Sequence, residues 1–188
     1  KALVDALKAD GYDFTVGIDI DTPISQADRV VSAGKGIGEK KNMELIRKLA
    51  VQAGAAVGSS RPVAETLKYV PLNRYVGMSG QKFNGNLYIA CGISGAGQHL
   101  KGIKDATTIV AVNKDPHAPI FKNCDYGIVG DVMEILPLLT DALDNEARAA
   151  HEEDEEGGEE GGSGRKALRL QWMRLRVRPR RRRSGKRR

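Results

Sequence analysis

The sequence is poor in the residues that build metal centres and disulfide frameworks. Its 188 residues include only 2 Cys and 3 His, and no CxxC pair occurs. This composition predicts an intracellular, reducing environment with neither a disulfide framework nor a metal cluster. Long apolar runs are also lacking, so no transmembrane segment is expected. The chain starts at Lys1 without Met and without a secretion signal, and we expect that something precedes it in the full protein.

An excess of charge of one sign is absent from most of the chain. Residues 1–148 carry 17 Lys and Arg against 17 Asp and Glu, so the net charge of +6 comes from residues 149–188. That segment is an acidic, glycine-rich run followed by an arginine-rich end, a composition that cannot bury a core. We expect a disordered tail, and an out-of-frame stretch of a GC-rich gene would have the same composition.

The arginine-rich end leaves a nucleic-acid-binding protein open as an alternative. Arginine-dense segments bind polyanions by displacing their counterions. The single Trp172 offers little aromatic surface for stacking on bases. Nucleic acid is therefore the disfavoured partner.

Strand and helix patterns alternate through the middle of the chain. Apolar runs such as RVVSA, LYIACG and TTIVAVN are separated by segments with helical spacing, such as EKKNMELIRKLAVQA. The runs are apolar throughout, as in strands that helices cover on both faces. This pattern predicts a doubly wound parallel α/β sheet, which is Rossmann-like, over residues 28–148. Residues 1–27 are interpreted as the end of a preceding domain with its linker, and PVAETLKYV as a helix that Pro62 opens.

The turns that follow the predicted strands carry glycines and small hydroxyl side chains. They are SAGKGIGEK, SSRP, GISGAGQH, NKDPHAP and GD, with VGMSGQ before the third strand. In a doubly wound sheet the ligand lies beyond the carboxyl ends of the strands, so these turns predict a ligand site. Glycines let backbone N–H groups approach phosphate oxygens.

A nicotinamide site on GKGIG fits poorly. The third glycine of a G-x-G-x-x-G fingerprint would fall on Glu39, and no acidic residue ends the second strand. Arg61 could meet a 2′-phosphate, which leaves an NADP- or nucleotide-dependent enzyme open as the alternative. His99 alone is compatible with a solvated or core histidine, but Ser94 and Gln98 beside it favour a ligand cradle.

Several segments together closely resemble one known family. VVSAGKGI, AAVGSSRPV, YVGMSGQ, LYIACGISGAGQHLKGIKDATTIVAVNKDPHAPIF and CDYGIVGDVMEILPLL occur in order between about Asp28 and Leu143. They resemble the C-terminal, FAD-binding domain of the alpha subunit of electron transfer flavoprotein. The resemblance implies FAD as cofactor and an electron carrier rather than an enzyme with its own substrate.

The resemblance also implies roles for individual residues. Arg61 is expected beside the isoalloxazine ring, Ser79 near flavin N5 and His99 near the pyrimidine carbonyl, where positive or donor groups favour reduced flavin. Replacement of Arg61 by Ala is expected to lower the flavin potential. The full set of expected cofactor-binding residues is Lys35, Ser60, Arg61, Val76, Gly77, Met78, Ser79, Ser94, Gly95, Ala96, Gly97, Gln98, His99, Asn113, Asp131 and Val132.

The implied partners follow from the same resemblance. They are the electron transfer flavoprotein beta subunit in a heterodimer, acyl-CoA or other dehydrogenases as donors, and a quinone oxidoreductase as acceptor. The implied location is the bacterial cytoplasm or the mitochondrial matrix. Three positions depart from the family pattern: Lys35 stands where many members have Arg, Met78 where Gln is usual, and Gly97 where a larger apolar residue is usual. We therefore expect altered or weaker flavin binding.

Overall fold

The computed structural model of the protein describes residues 1–15, 17–155 and 175–177. Its strands are β1 (Arg29–Ala33), β2 (Ala56–Ser59), β3 (Leu87–Cys91), β4 (Thr108–Asn113), β5 (Tyr126–Val129) and β6 (Leu175–Val177). They form one sheet in the order β2-β1-β3-β4-β5-β6. The first five strands are parallel, and β6 pairs with β5 in the antiparallel direction. The predicted doubly wound parallel sheet is confirmed.

Helices cover both faces of this sheet. They are α1 (Ala2–Ala9), α2 (Met43–Ala53), α3 (Gly97–Ile103) and α4 (Val132–Glu155). Short 3-10 turns occupy Lys35–Ile37, Lys40–Asn42, Leu72–Arg74 and Pro119–Lys122. Helices α1, α2 and α4 pack into one hydrophobic cluster, and α3 packs into the other. Because both faces are covered, β3 is buried along its whole length and β1 and β4 at all but one end residue, which explains their apolar sequences.

The order of the strands reverses beside β1. From β1 the chain passes through α2 to β2 on one side, and β3 then returns to pair with the other side of β1. The carboxyl ends of β1 and β3 are in register, with Ala33 opposite Cys91. Ligands of doubly wound sheets lie in the crevice beyond such a reversal.

The segment PVAETLKYV is not the helix that its sequence predicts. Residues Pro62–Thr66 form a single π turn, in which the Leu67 N–H bonds to the Pro62 carbonyl. Lys68 then adopts a positive φ of 54°, which a continuing helix excludes. The turn therefore ends early, and the chain reaches the next part of the site through an irregular segment.

The chain packs continuously across the predicted boundary at residue 28. Leu3, Val4 and Leu7 of α1 are buried in the same cluster as α4, and Lys8 forms an ion pair with Glu146. At the other end, α4 continues past residue 148 to Glu155. Of the tail, the structure describes residues 149–155 and 175–177, so most of the predicted disordered segment lies outside the described residues. Among the described residues, no helix is long and apolar enough to cross a membrane.

Candidate functional site

A cavity of about 780 Å³ lies at the strand reversal. The turns after all five parallel strands contribute to its wall, together with the segment 75–79. This volume falls within the range of about 300–1,000 Å³ that is usual for small-molecule and cofactor sites. The crevice expected from the strand order is therefore a formed cavity.

Direct backbone contact between the β1 and β3 turns shapes the centre of the site. A Cβ atom on Gly34 would lie 2.2 Å from the carbonyl oxygen of Gly92, and one on Gly36 would lie 2.8 Å from the Gly92 Cα. Gly92 itself has a φ of +66°. Hydrogen bonds from Gly34 N to Cys91 O at 2.8 Å and from Gly36 N to Gly92 O at 3.0 Å hold the turns together. Only glycine allows this approach.

The segment 75–79 is fixed against α3. The Met78 N–H donates to the Gln98 carbonyl at 2.8 Å, and a Cβ on Gly102 would lie 2.6 Å from the Gly77 Cα. The Tyr75 hydroxyl donates to Ser79 Oγ at 3.1 Å. The backbone bond and the close packing hold Ser79 at the wall of the cavity.

His99 is buried at the cavity wall, with only 7% of its surface exposed. Its Nε2 atom lies 3.0 Å from the hydroxyl of the buried Tyr88, while its Nδ1 atom is buried without a hydrogen-bond partner of acceptable geometry. Burial lowers the pKa of His99 to about 4, and the nearby Val76 carbonyl opposes this shift only in part. The imidazole is therefore neutral near pH 7. The expected role of His99 beside reduced flavin then rests on its ring dipole and N–H rather than on a full charge.

Arg61 lies at an exposed rim of the cavity and pairs with Glu65. Its Nε donates to Glu65 Oε2 at 2.5 Å and its second guanidinium nitrogen to Oε1 at 3.0 Å. These hydrogen bonds raise the pKa of Arg61 and lower the pKa of Glu65. The Arg61 guanidinium is therefore charged at the rim of the cavity, where two of its nitrogens face the Glu65 carboxylate.

The side chains of Asn113 and Asp131 are engaged by neighbouring backbone. Asn113 donates to the Ile93 carbonyl at 3.0 Å and accepts from the Asp115 N–H at 3.0 Å, which ties the β3 and β4 turns together. Asp131 accepts from the Met133 N–H at 2.8 Å at the start of α4. These bonds use part of the acceptor capacity of each side chain, so both retain free lone pairs for a ligand.

The structure brings nearly all the predicted site residues to this one cavity. Gly95 and Gly97 are the two that do not line it. Gly95 has a φ of +89°, and a Cβ there would lie 2.4 Å from the Ile120 nitrogen, so it shapes the turn instead. The predicted residues that line the cavity are Lys35, Ser60, Arg61, Val76, Gly77, Met78, Ser79, Ser94, Ala96, Gln98, His99, Asn113, Asp131 and Val132.

Sequence reasoning did not single out several other residues of the wall. Lys114 and Asp115 line the cavity directly after β4, and Asn42 lies on the far side of the β1 turn. The turn NKDPHAP was among the predicted ligand-site turns, but these two residues were not named within it. Nothing in the sequence indicates Asn42, because its position at the cavity depends on the 3-10 turns before α2.

A parallel sheet that reverses its strand order beside a glycine-lined cavity defines a nucleotide-binding α/β domain. Residues 23–104 match the family model described as the electron transfer flavoprotein FAD-binding domain. This part of the chain is similar to that family, whose model describes an FAD-binding domain.

The chain is also similar to curated bacterial proteins called Protein FixB. One is from Escherichia coli O9:H4 (strain HS) and another from Salmonella agona (strain SL483). Each is 50% identical over 120 residues, which make up 64% of this chain and 38% of the relative. The chain thus matches well under half the length of these relatives.

The residues present fit FAD. At Gly36, Gly38 and Gly92 the β1 and β3 turns line the cavity with backbone, which a pyrophosphate can approach closely. Lys35, Arg61 and Lys114 supply cations around the wall, while Glu39, Asp115 and Asp131 supply carboxylates. An elongated ligand that has anionic, polar and planar parts matches this mixed wall better than a simple anion does.

Proposed function

We propose that this chain is the FAD-binding part of a redox subunit that carries electrons between partner proteins. One observation carries the proposal. Of the residues implied by the family resemblance, which are scattered from Lys35 to Val132, all but Gly95 and Gly97 line a single cavity at the strand reversal. Separate strand turns meet there only because of the fold, so their convergence is independent of the sequence motifs that suggested them.

Different residues around the cavity would hold different parts of the cofactor. The β1 and β3 turns would hold the pyrophosphate, and the β4 and β5 turns with Asn113 and Asp131 would hold the adenosine half. Arg61, Ser79 and His99 would face the ring. FAD supplies the redox chemistry, and a guanidinium and fixed donors beside its ring favour the reduced state.

The partners of this carrier follow from the family. We propose a beta subunit as the heterodimer partner, acyl-CoA or other dehydrogenases as electron donors and a quinone oxidoreductase as acceptor. The cavity is open on one side, with Met78 at 52% exposure and Met133 at 41% on its wall. Apolar side chains at an open cavity are suited to a protein partner that completes the site. The location remains the predicted bacterial cytoplasm or mitochondrial matrix.

The direct test is an absorbance titration of the purified chain with FAD, with and without a co-expressed beta subunit. We expect flavin bands that remain after gel filtration, at about one FAD per chain. The bands should bleach on dithionite reduction and return in air. A chain that stays colourless in both preparations, while folded by circular dichroism, would contradict the proposal.

Arg61 offers a sharper test of the ring environment. Arg61→Ala should lower the potential of bound FAD, because a cation near the ring favours the reduced form. Glu65→Gln is the matched variant: it keeps Arg61 and removes the carboxylate that pairs with it, so the potential should rise. Potentials that are unchanged in both variants would show that Arg61 lies away from the ring.

The alternative, an NADP- or nucleotide-dependent enzyme, predicts a different result in the same titration. NADPH fluorescence would then change on binding and FAD would not compete. The ion pair between Arg61 and Glu65 is compatible with either cofactor. The titration with FAD and NADPH therefore distinguishes the two functions.

A further inference from the structure

The contact between Tyr88 and His99 lies beneath the cavity wall. Tyr88 belongs to the central strand β3 and is fully buried, and Phe83 packs against it with ring centroids 5.4 Å apart. Its hydroxyl lies 3.0 Å from Nε2 of His99, eleven residues further along the chain on α3. The two rings are tilted by 54° with centroids 5.9 Å apart. This is a fixed contact between a rigid strand and a residue of the cavity wall.

Both partners are neutral near pH 7. Burial raises the pKa of Tyr88, which keeps its proton, and burial lowers the pKa of His99 to about 4. A neutral imidazole has one N–H and one bare nitrogen, and the hydrogen bond at one nitrogen decides which of them carries the proton.

The direction of the Tyr88–His99 hydrogen bond follows from the chemistry of the two groups. A phenol is a good donor, and a bare imidazole nitrogen is a good acceptor. If Nε2 carried the proton, Nδ1 would be a bare acceptor beside the Val76 carbonyl, which is itself only an acceptor. Donation from Tyr88 to Nε2 places the proton on Nδ1 instead, on the side of that carbonyl. The Val76 carbonyl then faces a donor, although without good hydrogen-bond geometry, and the buried Ser32 hydroxyl, the other neighbour of Tyr88, can donate to the phenol oxygen.

We infer that Tyr88 is a positioning residue that holds His99 in the Nδ1–H form at the cavity wall. Through this hydrogen bond the sheet sets both the orientation of the imidazole and the identity of the atom that can donate. Nδ1 itself is buried and makes no hydrogen bond of good geometry, so its proton is an unfulfilled donor next to the Val76 segment. The expected effect of this hydrogen bond on a bound cofactor rests on the proposed function, whereas the position of the proton on the His99 ring does not.

The ring state is tested by ¹⁵N NMR of the full chain labelled at histidine, without any ligand. His99→Asn assigns the signals against those of His117 and His151. In the wild type we expect Nδ1 to show the shift of a protonated nitrogen and Nε2 that of a hydrogen-bonded acceptor. In Tyr88→Phe the preference for Nδ1–H should fall about fivefold, the loss of one neutral hydrogen bond. Wild-type protein with the proton on Nε2, or a ratio unchanged in the variant, would overturn the inference.

Tyr12→Phe is the matched control. It also removes a hydroxyl that makes hydrogen bonds, but at the opposite end of the sheet, where Tyr12 contacts Asn86 and Thr108. It should leave the His99 signals in place. A shift equal to that of Tyr88→Phe would mean that general loosening, not the Tyr88 contact, sets the ring.

The second measurement asks whether the ring state matters to the cofactor. If the wild type binds FAD, Tyr88→Phe should weaken FAD binding roughly three- to tenfold and shift the flavin potential, while Tyr12→Phe should do neither. A changed ring with unchanged FAD affinity and potential would overturn the positioning role toward the ligand. A wild type that does not bind FAD would refute the proposed function and leave the NMR test intact.

Discussion

The two ends of the sheet treat their polar groups in opposite ways. At the amino ends of β1, β3 and β4, the Tyr12 hydroxyl bridges the Asn86 carbonyl and Thr108 Oγ1 at 2.8 and 2.7 Å, and the Asn86 amide donates to Asp28 at 2.6 Å. At the carboxyl ends, glycine turns and exposed side chains such as Arg61 and Met78 surround a cavity. Polar groups that are satisfied within the protein stabilise the fold, whereas polar groups that face a cavity can bind a ligand.

The contrast extends to the charged groups. The Arg29 guanidinium at the amino end donates to the Ala53 carbonyl at 3.0 Å and lies 5.3 Å from the centre of the Phe14 ring, so it is held by packing. Arg61 at the carboxyl end forms an ion pair with the exposed carboxylate of Glu65. The same residue type is therefore held by packing at one end and lies at the rim of the cavity at the other.

The largest expected effect is that of a methyl group at the centre of the carboxyl end. Gly34→Ala would place Cβ 2.2 Å from a backbone oxygen, so the β1 and β3 turns must separate. We expect a loss of about 3 kcal/mol in the free energy of unfolding, the upper range for overpacking, together with loss of FAD binding. Urea unfolding and FAD titration measure the two effects. Normal FAD affinity in this variant would show that the contact between the turns is not needed for the site.

A pH effect on stability is the next largest. The pKa of His99 is about 4 in the folded protein, against an ordinary value near 6.5, so the unfolded chain binds more protons between these values. Stability from this residue is complete above pH 6.5 and is lost as the pH falls toward 4. We expect it to fall by about 2.5 kcal/mol from pH 7 to pH 4.5.

His99→Asn should remove this component of the pH dependence. Urea unfolding of both proteins at pH 7 and pH 4.5 isolates it, because all other titrating groups are shared. Equal pH dependence in the two proteins would show that the pKa of His99 is the same in the folded and the unfolded protein.

A smaller effect is expected at the amino end. Tyr12→Phe removes the bridge to Asn86 and Thr108 and should cost about 1 kcal/mol of stability, while the affinity for FAD stays unchanged. Thermal unfolding and FAD titration of the same preparation provide both values. A fall in the affinity for FAD would show that the amino and carboxyl ends of the sheet are coupled, and would contradict the contrast between the two ends.

The smallest effect has the opposite sign. Gly97 opens α3, and a Cβ there would meet no atom within 4 Å. Gly97→Ala should therefore raise the free energy of unfolding by about 0.5 kcal/mol, because alanine favours a helix and restricts the unfolded chain. FAD affinity should not fall, since Gly97 does not line the cavity. Weaker binding would place the cofactor against the first turn of α3.

Local sequence was sufficient for the parts of the fold that short-range patterns control. The apolar runs of β1, β3 and β4 and the spacing of α2 are visible without a structure, and the family motifs led to most of the cavity wall. The π turn at Pro62 was missed because Lys68 adopts a backbone conformation that its residue type does not signal. The hydrogen bond between Tyr88 and His99 was missed as well, since it joins a strand to a helix across a glycine turn.

The ends of the chain show a second kind of limit. The interpretation of residues 1–27 as the end of a preceding domain with its linker stays a prediction, and α1 buries Leu3, Val4 and Leu7 against the core of the sheet. The short amphipathic pattern of α1 shows which face of the helix is apolar, but not which surface of the protein that face packs against. The pairing of β6 with β5 likewise depends on a free sheet edge, which the tail sequence alone does not reveal.

The backbone contact between Gly34 and Gly92 has a mechanical consequence. The two turns that would hold the cofactor are the direct continuations of adjacent central strands, and their backbones touch at Gly34 and Gly92. Such a socket can change its shape only if the middle of the sheet changes too. Dipoles fixed in this way need not rearrange when charge arrives, which favours rapid and reversible exchange of electrons over slow structural gating. Stiffness at these two glycines would thus be part of the design of a carrier.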